Sequence, residues 1–164
     1  MKQILFSMLF LLGGLLNGNA QQPSLKFNKD GKFKIVQFTD VHYIHNNPKS
    51  AISVERINEV LDAEKPDLVL FTGDVIYGKP AEEGMRTILN LAAQRKIPFG
   101  MTFGNHDNEQ GLTRTQLFDI IRTIPYNLTD SVEGVSGASN YILPIKSSNG
   151  NKDAAVLYCM DSHS

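Results

Sequence analysis

Three short clusters in this sequence combine side chains that can bind metal ions. They are Asp40 with His42, Asp74 after a glycine, and the consecutive residues Asn105, His106 and Asp107. Mixed oxygen and imidazole ligands suit first-row metals such as Mn, Fe or Zn better than they suit calcium. Two such ions about 3.5–4 Å apart can hold both the attacking and the leaving oxygen of a phosphoryl displacement. The chemistry that these residue types could support is therefore metal-assisted hydrolysis.

Each cluster follows an apolar run that is typical of a buried strand. The runs cover 33–38, 67–71 and 98–103, and predicted helices over 49–65 and 80–96 separate them. This alternation requires parallel strands with crossover connections. Asp74 lies 34 positions after Asp40 and Asn105 lies 31 after Asp74, and each interval is about one strand-helix-strand unit of roughly 30 residues. Because the carboxyl ends of parallel strands share one edge of a sheet, we expect the clusters to meet in space.

The side chains suggest individual roles at that edge. Asp40 and His42 are two positions apart, so on an extended segment both would face one ion. The two oxygens of Asp74 could bridge two cations, and Asn105 offers a neutral amide oxygen. His106 could be a ligand, a proton donor or a stabiliser of charge. Taken singly, each cluster also fits a turn in which Asp or Asn caps a helix, and only the ordered combination favours a metal site.

Four further residues lie outside the three clusters. Tyr77, three positions after Asp74, is either a ligand or a packing residue. His45 and His163 lie outside the clusters, and we expect neither to bind metal because isolated histidines are usually not ligands. Cys159 is the only cysteine, so it cannot form an intramolecular disulfide, and its apolar surroundings predict a small buried residue.

The remaining pattern predicts hairpins at both ends of the chain. An Asp-Gly pair within 28–31 predicts a hairpin between 24–27 and 32–38. After the third cluster, we predict a helix over 113–122 and a second hairpin with strands over 140–143 and 154–160.

In combination, the three clusters resemble those of the calcineurin-like metallophosphoesterase superfamily. The surrounding residues 33–42 and 157–162 are similar to its purple-acid-phosphatase-like branch. The resemblance covers about 32–162 and implies an α/β/β/α sandwich, of which this chain supplies the first sheet with its helices and a following hairpin. The family continues to further histidines, usually in a Gly-His-x-His motif. We therefore expect 21–164 to be the N-terminal part of a catalytic domain.

The resemblance also implies two divalent or trivalent metal ions and a function as a phosphoric ester hydrolase. Asp40 and His42 would hold one ion, Asn105 the other, and Asp74 would bridge them. A metal-activated hydroxide would attack phosphorus while His106, steadied by Asp107, assists the leaving oxygen of a small-molecule or macromolecular phosphate ester. The alternatives are a metal- or phosphate-binding protein without turnover, and an inactive truncated fragment of the enzyme.

The net charge and the first twenty residues restrict the range of expected partners and the expected cellular compartment. Seventeen acidic and sixteen basic residues give a net charge of −1, which gives no indication of binding to nucleic acid or to an anionic membrane. Residues 1–20 contain a lysine, an apolar run over 4–16 and a small-residue cleavage site, the order of a secretory signal peptide. The run is shorter than the roughly 20 residues of a membrane span. We expect an exported protein, periplasmic or extracellular, without a stable membrane anchor.

Overall fold

The computed structural model describes residues 23–162, so the predicted signal peptide and His163 lie outside the described residues. Eight helices and strands follow one another in chain order. They are β1 (Ile35–Phe38), α1 (Ala51–Glu64), β2 (Leu68–Thr72), α2 (Ala81–Ala93), β3 (Phe99–Thr102), α3 (Arg114–Arg122), β4 (Tyr141–Lys146) and β5 (Asp153–Cys159). Short 3₁₀ helices at Pro48–Ser50 and Asp107–Gln110 complete the set.

The first three strands form one parallel sheet in the order β1-β2-β3. Phe38 pairs with Phe71, and Thr72 pairs with Thr102, so the carboxyl ends of the three strands lie side by side. This arrangement confirms the parallel sheet that the alternation of apolar runs and helices predicts. It brings the segments that carry the three clusters to one edge of the sheet.

The central strand is covered on both faces, and its two faces pack against different layers. Val69 and Phe71 belong to the core shared with the three helices, whereas Leu68 belongs to the core under the β4–β5 hairpin. Side chains alternate across a strand, so the helices and the hairpin cover opposite faces. Burial of each large apolar side chain contributes about 1.5–3 kcal/mol. The described residues thus form three layers of the expected α/β/β/α sandwich.

A tyrosine fixes the contact between the hairpin and the sheet. The Tyr141 hydroxyl donates a hydrogen bond to the Met101 carbonyl at 3.1 Å. A Cβ atom on Gly100 would lie 2.5 Å from the same hydroxyl, so the glycine leaves room for the tyrosine ring. Burial raises the pKa of the Tyr141 hydroxyl well above its ordinary value, which keeps this group a neutral donor.

The helices form where their patterns predict, with somewhat different bounds. The predicted helix over 49–65 becomes a 3₁₀ turn followed by α1, whose C-cap residue Lys65 is left-handed with φ 44°. The helix predicted over 80–96 is α2, with Pro80 at its N-cap. Thr113 caps α3 through a reciprocal pair of hydrogen bonds with Gln116. None of the helices within residues 23–162 has both the length and the apolar character that a membrane span requires.

The prediction of a hairpin near the N-terminus is wrong. The second predicted hairpin is confirmed as the antiparallel pair β4 and β5. The turn at 28–32 forms, because the Asn28 side chain accepts the Asp30 and Lys32 amides at 3.0 and 2.9 Å. The segment before that turn pairs with β4 instead of β1. The Phe27 amide donates to the Lys146 carbonyl at 2.9 Å. Leu25 is thereby buried beside the hairpin, so the apolar surface of the second layer decides the pairing.

Candidate metal centre

The loops that follow β1 and β2 run alongside each other and hold the first two clusters together. The Asp40 amide donates to the Gly73 carbonyl at 3.1 Å, and the His42 amide donates to the Asp74 carbonyl at 2.9 Å. Asp40, His42 and Asp74 all have positive φ angles, of 52°, 48° and 52°. Residues other than glycine rarely adopt this left-handed backbone conformation. It persists where the surrounding structure enforces it, and it is concentrated at functional sites.

These φ angles correct one step of the sequence interpretation. The rule that residues two positions apart face the same side holds for an extended strand. However, β1 ends at Phe38, and the chain is left-handed at both Asp40 and His42. The directions of these two side chains are therefore set by the turn and by its bonds to the neighbouring loop.

Asp107 joins the second and third clusters through four backbone amides. One carboxylate oxygen, Oδ2, accepts the Asp74 and Gly104 amides at 3.0 and 2.9 Å. The other, Oδ1, accepts the Val75 and Ile76 amides at 2.8 and 3.2 Å. The side chain is fully buried, and burial raises the pKa of the Asp107 carboxyl while the amide donors oppose that rise. Asp107 is thus a structural tie between two loops.

Two glycines allow these loops to approach each other closely. A Cβ atom on Gly73 would lie 2.9 Å from the Gly104 Cα, and Gly73 itself has a φ of +100°. A Cβ atom on Gly104 would lie 2.2 Å from Asp74 Oδ1. The glycines that precede Asp74 and Asn105 therefore set the position of the Asp74 carboxylate.

Replacement of Gly104 by alanine is expected to displace Asp74. The forced shift should lower the free energy of unfolding by about 1–3 kcal/mol and weaken Mn²⁺ binding by at least about 10-fold, because ligand position sets metal affinity. Calorimetric Mn²⁺ titration and urea unfolding measure both effects. Gly150→Ala is the control, since its Cβ would meet only Ser147 Oγ at 3.8 Å. Equal effects of the two substitutions would contradict the prediction.

Three candidate ligands converge at the carboxyl edge of the sheet. One ligand atom each from His42, Asp74 and His106 lies within 4.8 Å of the others. His42 Nε2 is 3.5 Å from Asp74 Oδ2, and the His106 amide donates to Asp74 Oδ1 at 2.8 Å. The His42 and Asp74 side chains are 41% and 11% exposed, so the group is reachable from solvent.

The donor set of this group fits a first-row transition metal. Ligands at about 2.0–2.2 Å from one ion lie about 3–4 Å from each other, so small side-chain movements would let all three bind one ion. Two imidazole nitrogens with a carboxylate oxygen are the mixture that Mn, Fe and Zn sites use. Calcium sites, in contrast, use oxygen ligands alone.

The other two predicted ligands lie beside this group. Asp40 and Asn105 line a cleft of about 720 Å³ together with Asp74. Within the part of the chain that the structure describes, Asp40 is not a member of the close group, which contains His106 in its place. The cleft continues between the sheet edge and β5, where Tyr141, Leu157, Tyr158 and Met160 line it.

His106 has a different carboxylate partner from the one that the resemblance implies. Glu109 Oε2 lies 2.7 Å from His106 Nδ1, whereas both oxygens of Asp107 are engaged by backbone amides. The Glu109 carboxylate raises the pKa of the His106 imidazole above its ordinary value. Sequence reasoning missed Glu109, although its spacing of three from His106 suits one turn of a 3₁₀ helix.

Tyr77 lies next to the close group of His42, Asp74 and His106, whereas His45 lies outside it. The Tyr77 ring lies edge-on to His42 and His106, with centroids 5.3 and 5.0 Å away. His45 is not a member of the group; its Nδ1 lies 3.5 Å from the Thr87 hydroxyl, on α2. Cys159 is buried as predicted, and burial raises the pKa of its thiol.

Comparison with known proteins identifies a matching family and several relatives of this chain. The family model for calcineurin-like phosphoesterase matches residues 33–160. Phosphatase DCR2 of Saccharomyces cerevisiae is 38% identical over 85% of this chain and 28% of that protein. Probable inactive purple acid phosphatase 29 of Arabidopsis thaliana is 32% identical over 87% of this chain and 43% of that protein. The chain spans less than half the length of these curated relatives.

Proposed function

This chain belongs to the calcineurin-like phosphoesterase family, and we propose that it carries the first metal-binding motifs of an enzyme that hydrolyses a phosphate ester. The family predicted from the three clusters is thereby confirmed. The observation that carries the proposal is the convergence of His42, Asp74 and His106 within 4.8 Å at the carboxyl edge of the sheet. These residues follow three different strands, and binding of a shared metal ion is the simplest reason for bringing them together.

We propose that Asp74 is the central ligand of a site for two divalent or trivalent ions of Mn, Fe or Zn. Its side chain is near His42 and also lines the cleft with Asp40 and Asn105. Its membership of both the close group and the lining of the cleft supports a bridging role. When bound, such ions act as Lewis acids and bring the pKa of a coordinated water close to neutrality.

We assign separate tasks to the adjacent residues His106 and Asp107. His106 is 32% exposed, and its imidazole could deliver a proton to the leaving-group oxygen of a substrate in the cleft. Asp107 is fully buried, so it acts on the backbone that positions Asp74 and not on the substrate. The substrate is a phosphate ester, which enters the cleft between the sheet edge and β5.

We also propose that the protein is exported and that 21–164 is the N-terminal part of its catalytic domain. Residues 1–20 support export because they have the composition of a signal peptide. The share of the relatives that the chain covers, 28% and 43%, supports the assignment to part of a larger catalytic domain.

Metal removal from the whole protein tests the proposed reaction. Treatment with a chelator should lower the hydrolysis of a generic aryl phosphate by at least about 100-fold, because the metal supplies both the Lewis acid and the activated water. Addition of Mn²⁺, Fe²⁺ or Zn²⁺ should restore it. Undiminished hydrolysis after chelation would overturn the proposal. Binding of two ions without hydrolysis would favour a metal-binding protein without turnover.

A further inference from the structure

The residues after His106 turn back toward its imidazole ring. The 3₁₀ helix Asp107–Gln110 begins directly after His106, and the Glu109 amide donates to the His106 carbonyl at 3.1 Å. In a 3₁₀ helix, side chains three positions apart lie on the same side. The Glu109 carboxylate therefore meets the ring, with Oε2 at 2.7 Å from Nδ1.

We propose that Glu109 is a positioning residue that fixes the tautomer and the orientation of His106. In this arrangement Nδ1 carries a proton and donates a hydrogen bond to Glu109, and Nε2 is the nitrogen available to the candidate metal centre. This inference rests on the proposed function of that centre, and it adds a residue that the three sequence clusters do not contain.

The assignment follows from the chemistry of an ionised Glu109 beside a neutral His106 ring. An ionised carboxylate only accepts hydrogen bonds, and a neutral imidazole has one donor nitrogen and one acceptor nitrogen. A contact of 2.7 Å between Glu109 Oε2 and His106 Nδ1 therefore requires the proton to be on Nδ1. Nε2 then keeps a free electron pair for a metal ion, or binds the proton that a leaving group needs. Carboxylates beside metal-binding histidines commonly act in this way.

The surroundings of the ring restrict it further. Its centroid is 5.0 Å from that of the Tyr77 ring, which is perpendicular to it, and 5.5 Å from that of the His42 ring, which is tilted by 65°. Glu109 itself is 53% exposed, and exposed ion pairs stabilise a fold by little or nothing. The contact therefore affects the direction of the ring more than the stability of the fold, which makes the proposal testable by substitution.

Glu109→Gln tests the proposal with little change in side-chain shape. In the chelator-treated parent protein, at a pH where the ring is neutral, long-range ¹H–¹⁵N NMR should find His106 as the Nδ1–H tautomer. A glutamine can both donate and accept, so the variant should show a mixture of tautomers. Its affinity for Mn²⁺, measured by calorimetry, should fall about 10–100-fold, and the kcat for an aryl phosphate should fall more than KM rises.

Glu59→Gln is the matched control, because Glu59 forms an exposed ion pair with Arg56 at the same spacing of three on α1. It should change neither the tautomer nor the Mn²⁺ affinity. An Nε2–H tautomer in the parent, or a Glu109→Gln variant with parental tautomer and Mn²⁺ affinity, would overturn the proposal. The NMR result does not depend on turnover, so failure of the proposed hydrolysis is distinguishable from failure of this role.

Discussion

Replacement of Asp74 by asparagine is expected to weaken Mn²⁺ binding by more than about 100-fold. Substitution of a residue that only supports a ligand typically weakens metal binding by roughly 10–100-fold, and loss of a ligand should exceed that. Asp74 is the one acidic member of the close group with His42 and His106. An asparagine keeps an oxygen that can accept the His106 amide, now bonded to Asp74 Oδ1 at 2.8 Å. The substitution thus removes the charge and preserves a contact of the fold. Hydrolysis of an aryl phosphate should fall with the metal.

The control for this prediction lies at the other end of the same strand. Asp67 precedes β2, and its Oδ2 accepts the Lys34 amide at 2.7 Å. Asp67→Asn therefore makes the same change in net charge next to a similar backbone contact, but at the edge opposite the candidate centre. Calorimetric Mn²⁺ titration of both variants measures the difference. If Asp67→Asn weakens binding as much as Asp74→Asn, the centre is not where the structure places it.

Replacement of Asp107 by alanine should lower the free energy of unfolding by about 3–5 kcal/mol, since it breaks a buried network of hydrogen bonds. Four amides lose their acceptor, and two of them belong to Asp74 and Gly104. Asp107→Asn should be nearly as damaging. Its amide nitrogen would replace one carboxylate oxygen, so that donors would face donors. Mn²⁺ affinity should fall as well, because the loops that carry the ligands would separate.

Urea unfolding measures this loss of stability, with Asp119→Asn as the control. Asp119 is an exposed carboxylate on α3, so its loss makes the same charge change without touching the loops and should stay within about 0.5 kcal/mol of the parent. A change of less than about 1 kcal/mol for Asp107→Ala would show that the four amides find other partners, and the role assigned to Asp107 would be wrong.

The layered fold could be predicted from the sequence because its signals are local and periodic. Continuous apolar runs indicate strands buried on both faces, and helical spacing between them requires parallel pairing. The parallel direction of β1, β2 and β3 follows from these signals, whereas their order in the sheet comes from the structure. The N-terminal hairpin failed because a turn signal specifies a reversal of the chain and not the strand that pairs. In the structure Leu25 packs in the apolar cluster beside β4, and its carbonyl accepts the Lys146 amide at 2.9 Å.

The sequence by itself determined which chemistry the site can support, since residue types and the one-unit spacing of Asp40, Asp74 and Asn105 suffice for that. The tertiary structure alone decided which groups touch. It gave Asp107 to the backbone amides and Glu109 to His106, and it placed His106 beside His42 and Asp74. For the contacts between clusters the physical reason is range: periodic burial acts over a few residues, whereas these hydrogen bonds depend on tenths of an ångström between loops about 30 residues apart. The Glu109–His106 contact is local, and it depends on the 3₁₀ turn that the chain adopts after His106.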